Sequence, residues 1–223
     1  LFLIGGSVFS FLLYKNNTSV QELISPIFHK DFTDKISTKV DTSLKLDFKT
    51  SKELLSLETV PRYLVYNANT GKVYYSKQSN QRISPASFTK LLSAQVALDF
   101  ISADKTITVN PESLNKVPTI LGLKPGEKFL VSDILRGAIA TSGNDAAQVL
   151  ADESARFIGA TNQEFLYYMN KKAELLGMHH SHFANPDGLD DQNQYSTLED
   201  IAKLTNNVQK NYPDILFAAN ADN

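Results

Sequence analysis

The sequence predicts an α+β domain in which a helical cluster stands beside an antiparallel sheet. Two β-rich runs, Tyr63 to Tyr66 and Lys72 to Ser76, flank the stretch "NANTG", whose asparagines and glycine suit a hairpin turn. Further along, three segments with helical apolar spacing follow one another with no strand between them, which argues against alternating βα units and a parallel sheet.

The elements can be justified in order. The hairpin occupies about residues 62 to 77. A long helix follows from about 85 to 101, where Ser84 reads as the N-cap and Pro85 occupies the first helical position, at which its missing N–H does no harm. "TITV" and "KFLV" make a short strand pair, joined through loops that include "LKPGEK". "SDILRGAIAT" reads as a helix capped by Ser132 that buries Ile134, Leu135 and Ile139. "DAAQVLADESARFI" runs to a stop at Gly159. "TNQEFLYYMNKKAELLGM" sets Phe165, Leu166, Met169, Ala173 and Leu176 on one face and stops at Gly177. After the loop "HHSHFANPDGLDDQNQY", a final helix, "STLEDIAKLTNNVQKN", opens with the pattern of a capping box, Ser196 with Glu199.

The N-terminal part is different. Residues 1–14, "LFLIGGSVFSFLLY", carry no charge, yet a bilayer span needs about 20 apolar residues. The chain starts on leucine, and the stretch reads as a membrane anchor or signal segment that is truncated. Residues 15–55 are polar and lack a sustained period, as in a tether or stalk, with a short helix near "SVQELI". The catalytic part is expected over residues 56–223.

Composition removes whole function classes. A net charge of -2 gives no basic field for nucleic acid, and the absence of cysteine excludes disulfides, thiol catalysis and Cys-based metal sites. With 42% hydrophobic residues in 223, the chain can bury one substantial core.

Chemistry is suggested by Ser-x-x-Lys, which occurs three times: "SFTK" from Ser87 to Lys90, "SADK" from Ser102 to Lys105, and "SLNK" from Ser113 to Lys116. A serine hydroxyl is a poor nucleophile at neutral pH and needs a base beside it, and a lysine serves only when it is neutral. The positive end of a helix and partial burial both push a lysine that way. Only the first tetrad opens a long buried helix; the second lies where that helix ends, and the third lies in a Pro- and Asn-rich loop. A second element, "ATSGNDAA" at 140 to 147, breaks one helix and starts another. It presents the Ser142 hydroxyl and the Asn144 carboxamide at an irregular turn, with Asn144 or Asp145 as a possible cap.

"SPASFTK", "SGNDAA" 55 residues later, "MNKKAELLGM" and "FANPDGLDDQNQYST", in this order and spacing, resemble the serine D-alanyl-D-alanine carboxypeptidases, the low-molecular-mass penicillin-binding proteins of peptidase family S11. The resemblance covers roughly residues 56 to 210. It implies a β-lactamase/transpeptidase-like fold and removal of the terminal D-alanine from peptidoglycan stem peptides. It also implies penicillin binding, no cofactor, and a place in the bacterial cell envelope on the outer face of the cytoplasmic membrane. In this family's pattern Ser87 is the nucleophile that becomes the acyl-ester, Lys90 the general base, Ser142 the proton relay, and Asn144 the residue that binds the substrate amide and holds Lys90.

The family's third motif, Lys-Thr/Ser-Gly on a strand beside the cleft, has no match, and "NTGK" at 69 to 72 is in the wrong order. Its usual spacing puts it beyond Asn223. The expectation is therefore a fragment, truncated at both ends, inactive by itself and with an incomplete sheet. Two rivals stay open. A β-lactamase shares the tetrad but deacylates with a glutamate-activated water, and no convincing Glu-x-x-Leu-Asn loop is present. A membrane-tethered penicillin sensor or peptidoglycan-binding module would keep the acylating residues without turnover. "HHSH" (His179, His180, His182) with Asp187, Asp190 and Asp191 could suggest a metal, but no regular element fixes a ligand geometry, and the expectation is no metal.

Overall fold

The computed structural model describes residues 40–48, 60–114 and 119–220, all within one compact unit, Lys39–Asn223. The apolar segment 1–14, the helix expected near "SVQELI" and most of the tether lie outside the described residues. Strands β1 (Tyr63–Tyr66) and β2 (Val73–Lys77) form the expected hairpin, with a register shift between Val65 and Tyr66. Helix α1 (Thr89–Phe100) follows, then the antiparallel pair β3 (Thr106–Thr108) and β4 (Lys128–Leu130). The rest is helical: α2 (Val131–Ala140), α3 (Asn144–Phe157), α4 (Asn162–Leu175), α5 (Leu198–Asn211) and α6 (Pro213–Ala219).

Helix α1 is the hub, packing against each of the other five helices. Its sequence explains why. Leu92, Val96, Leu98 and Phe100 supply apolar bulk, while Ser93, Ala94 and Ala97 are small enough to let neighbours approach, and all are buried. A helix that is buried around its circumference belongs at the centre of a domain. Each large apolar side chain withdrawn there contributes about 1.5–3 kcal/mol. The hairpin packs on α5, where the Tyr66 hydroxyl donates to the Ala202 carbonyl at 3.3 Å. Among the described residues β1 pairs with β2 alone.

Several sequence expectations move. Residues 40–48, read as tether, belong to the folded unit. Asp47 bridges Lys72, the Asp41 amide donates to Asn207 Oδ1 at 2.9 Å, and Lys210 pairs with Asp41 at 2.8 Å. The fold thus begins earlier than residue 56. Ser84 does not cap α1, because its hydroxyl donates to Asp190 and a 3₁₀ turn, Ala86–Phe88, precedes the α-helix. Ser132 is the second residue of α2 rather than its cap. The box expected at Ser196 and Glu199 slips by one residue, so that Thr197 Oγ1 accepts the Asp200 amide at 3.1 Å. Ser196 is unavailable because its backbone is locked in an extended bridge with Ile83. A true capping box forms instead at Thr161 and Glu164, ahead of α4. Helix α6, not anticipated, begins with Pro213 in the position that tolerates proline.

Candidate active site

The two sequence elements singled out for chemistry, 55 residues apart, meet at the head of α1. Ser87 lies in the 3₁₀ turn, exposed, and its Oγ is 2.6 Å from Ser142 Oγ. Lys90, in the first turn of α1, is only 3% exposed and donates to Ser87 Oγ at 3.2 Å and to Asn144 Oδ1 at 2.9 Å. All four residues selected from the sequence therefore converge. The other tetrads do not join them. Ser102 is engaged by Asp104, and Ser113, buried against α3, donates to Asp152 at 2.6 Å.

Each side chain has a local cause for its position. Ala86 (φ 46), which precedes Ser87, and Ser142 (φ 58) itself both adopt left-handed backbone, which residues with a Cβ rarely do. Such strain persists only where the surroundings over-determine it, and it clusters at functional sites. Gly143 caps α3 and Asn144 is the first helical residue, its amide donating to the Thr119 carbonyl at 2.8 Å. Asp145 then holds the loop alongside, accepting the amides of Leu121, Gly122 and Leu123 at 2.8, 2.9 and 3.2 Å.

Residues missed by the sequence reading lie in the loop "NPDGL". The Asp187 carbonyl accepts from Lys90 Nζ at 2.5 Å, a third contact on the amine. Gly188 presses against the Ser87 turn: a Cβ there would sit 2.0 Å from the Ala86 carbonyl oxygen and 3.2 Å from the Ser87 nitrogen. Its φ of +89 is likewise a conformation that favours glycine. The loop entered the sequence reading only as one segment of the family resemblance and through Asp187 as a possible metal ligand, and neither signal told what its backbone touches.

Burial holds the Lys90 amine below the ordinary lysine pKa of 10.5, and the Asp187 charge opposes that shift. A neutral amine has two N–H groups and one lone pair. In that form the N–H groups go to Asn144 Oδ1 and the Asp187 carbonyl, and the lone pair accepts from the Ser87 hydroxyl, reversing the 3.2 Å contact that the charged amine donates. The arrangement can deprotonate Ser87 and pass a proton on through Ser142.

The histidine-rich loop is used differently. His182 Nδ1 lies 2.7 Å from the Asn193 carbonyl and its ring stacks on Tyr195, while Asp190 and Asp191 accept from Ser84 and from the Asn193 amide. Among the described residues no group of three or more such side chains is gathered to hold a metal.

Comparison with known proteins gives consistent relatives. A family model described as Peptidase S11, D-alanyl-D-alanine carboxypeptidase, matches residues 52–223. D-alanyl-D-alanine carboxypeptidase DacF of Bacillus subtilis is 34% identical over 147 residues, covering 64% of this chain and 37% of that protein. DacA of Escherichia coli is 31% identical over 165 residues, covering 68% and 40%. Among solved structures, the carboxypeptidase DacD from Francisella tularensis superposes with a TM-score of 0.64 at 32% identity, over 71% of this chain and 39% of that one. Penicillin binding protein 6B from Escherichia coli gives 0.62 at 30%, over 69% and 50%. The chain spans 37% of the length of the first of these curated relatives and 40% of the second.

Proposed function

The chain belongs to the peptidase S11 family of D-alanyl-D-alanine carboxypeptidases, and from that premise we propose that it supplies the acylating residues of a serine carboxypeptidase acting on peptidoglycan stem peptides. The observation that carries the reading is the closed set of contacts among Ser87, Lys90, Ser142 and Asn144. As Ser87 Oγ attacks the carbonyl carbon of the penultimate D-alanine, Lys90 takes the hydroxyl proton. Asn144 holds both the amine and the substrate amide. The C–N bond then breaks, and a proton delivered through Ser142 goes to the departing D-alanine amine, leaving the acyl-ester on Ser87. Water attacks that ester, Lys90 takes its proton and returns it to Ser87 Oγ as the ester C–O bond breaks, and the shortened peptide is released. Dividing one difficult amide cleavage into two easier steps is the advantage of a covalent intermediate. A β-lactam offers a strained amide to the same hydroxyl, so penicillin should acylate Ser87.

The place of action follows from the substrate: the cell envelope, with the N-terminal run 1–14 as a membrane attachment on the outer face of the cytoplasmic membrane. What supports the attachment is the uncharged apolar composition of that run. Among the described residues no helix is long and apolar enough to cross a membrane.

The test uses the complete gene product, a stem pentapeptide and benzylpenicillin. D-alanine release together with a penicillin adduct on the Ser87 tryptic peptide is expected. Rapid loss of the adduct without D-alanine release would indicate a β-lactamase, and a stable adduct without peptide turnover would indicate a sensor. An adduct on Ser102, Ser113 or Ser142 with Ser87 unmodified would overturn the assignment of the nucleophile.

A further inference from the structure

Gln194 hydrogen-bonds to none of the four site residues, yet it is 6% exposed and its side-chain amide makes four hydrogen bonds, all to one loop. Its Oε1 accepts the amides of Ala184 at 3.1 Å and Asn185 at 3.3 Å, and its Nε2 donates to Asn185 Oδ1 at 3.2 Å and to the Leu189 carbonyl at 2.8 Å. Asn185 closes the same loop from inside, donating to the Leu189 carbonyl and accepting the Gly188 amide, both at 2.8 Å. The two carboxamides thus staple residues 184 to 189 into a fixed bend. At the apex of that bend sit the Asp187 carbonyl on Lys90 Nζ and Gly188 against the Ser87 turn. The root of the staple is rigid as well. The neighbouring Tyr195 and Ser196 bridge His182 and Ile83, and Ile83 lies four residues before Ser87.

We propose that Gln194 is a positioning residue for acylation: by stapling the 184–189 loop, it aims the Asp187 carbonyl at Lys90 and so directs the amine's lone pair toward Ser87. The inference rests on the function proposed above. Its physical content is that a backbone carbonyl orients an amine only as well as its own loop is held. The same loop also keeps water from Lys90, since Pro186 and Asp187 are buried over it and the Pro186 carbonyl is tied to Ser93 Oγ at 2.8 Å. The charges around the amine are accounted for. Asp187, on the loop, acts on it directly, Asp145, at the start of α3, is committed to the 121–123 amides, and Asp190 takes the Ser84 hydroxyl. Loosening the staple changes the aim and hydration of Lys90 without adding or removing a charge.

The experiment compares wild type, Gln194→Ala and Gln194→Met in the complete gene product. Met keeps the side-chain volume and removes the hydrogen bonds, which separates lost packing from lost aim. The second-order rate constant for benzylpenicillin acylation is measured against pH, normalised to titrated sites, with thermal denaturation alongside. Both variants should acylate more slowly, by up to about 10²-fold, the scale on which small misplacements act. The acidic limb of the profile should move to higher pH as water reaches Lys90. A folded variant with the wild-type limb and rate overturns the proposal, as does a fall in melting temperature with no change in the limb. Loss of folding in both variants would make Gln194 a structural residue and overturn it too. Absence of labelling in the wild type would instead strike the proposed function, so the two failures are distinguishable.

Discussion

Ser142 brings its hydroxyl to 2.6 Å from that of Ser87 while its own backbone is held at φ 58. The position that completes the hydroxyl pair is thus a position where a glycine would be more comfortable. Left-handed backbone costs a residue with a Cβ about 1–2 kcal/mol, so stability and chemistry pull in opposite directions at one site. Ser142→Gly should be more stable toward urea than Ser142→Ala by about 1 kcal/mol, and both should lose peptide turnover. Penicillin labelling should suffer less than D-alanine release, because a strained ring leaves with less help from a proton donor. Equal stability of the two variants would show that the strain is not being felt.

Lys90 should reveal itself through pH. Acylation is expected to fall on acidification with a limb below the ordinary lysine pKa of 10.5, because burial depresses the folded-state value. The consequence for stability has a definite sign. Between the depressed value and 10.5 the unfolded chain binds the extra proton, so stability rises with pH across that window. Below the window the folded protein bears the full cost of a buried charged amine. Lys90→Ala should slow acylation by at least ~10²–10⁴, the usual contribution of a positioned base. Lys90→Arg should not restore the rate, since a guanidinium stays charged. A limb near 10.5 in the wild type would contradict the burial argument.

Gly188→Ala should be damaging where Gly122→Ala is mild. Both positions have φ near +88, at +89 and +87, but a Cβ at 188 meets the Ala86 carbonyl at 2.0 Å whereas nothing lies within 4 Å at 122. The first should add displacement of the Ser87 turn to the conformational cost, lowering penicillin acylation as well as stability. The second should cost about 1–2 kcal/mol and leave the acylation rate unchanged. Parallel melting curves and labelling rates decide between them.

A buried ionic cluster far from the hydroxyls should govern stability rather than chemistry. Lys172 and Asp99, both with fully buried side chains, pair at 3.0 Å, and the Tyr212 hydroxyl sits 2.7 Å from each. Burial and the Asp99 charge push the Tyr212 phenol well above its ordinary pKa of 10, so it remains a donor at any working pH. Lys172→Met should cost about 3–5 kcal/mol by leaving the Asp99 charge without its cation, and adding Asp99→Leu should recover much of the loss. Additive losses in the double variant, read by denaturant titration, would show that the pair is not coupled.

What the sequence determined by itself is what short-range rules govern. The hairpin at "NANTG", the helix behind "SPASFTK" and the stops at Gly159 and Gly177 follow from periodicity and turn chemistry within a few residues. So does the expectation that the Ser87 tetrad, and not those at Ser102 or Ser113, opens a buried helix. Ser142 and Asn144 were legible because a hydroxyl and a carboxamide at a helix break are residue types with a chemistry. The Asp187 carbonyl on Lys90, reached across 97 residues, was not legible, because every residue carries a carbonyl and none is marked for such a task. The same limit applies to Gly188, whose need to be glycine comes from the Ala86 oxygen beside it. It applies as well to the cap of α5, which passed from Ser196 to Thr197 once tertiary pairing with Ile83 had claimed the serine backbone. Side-chain identity is written along the chain, whereas the aim of a backbone group exists only after distant segments have packed.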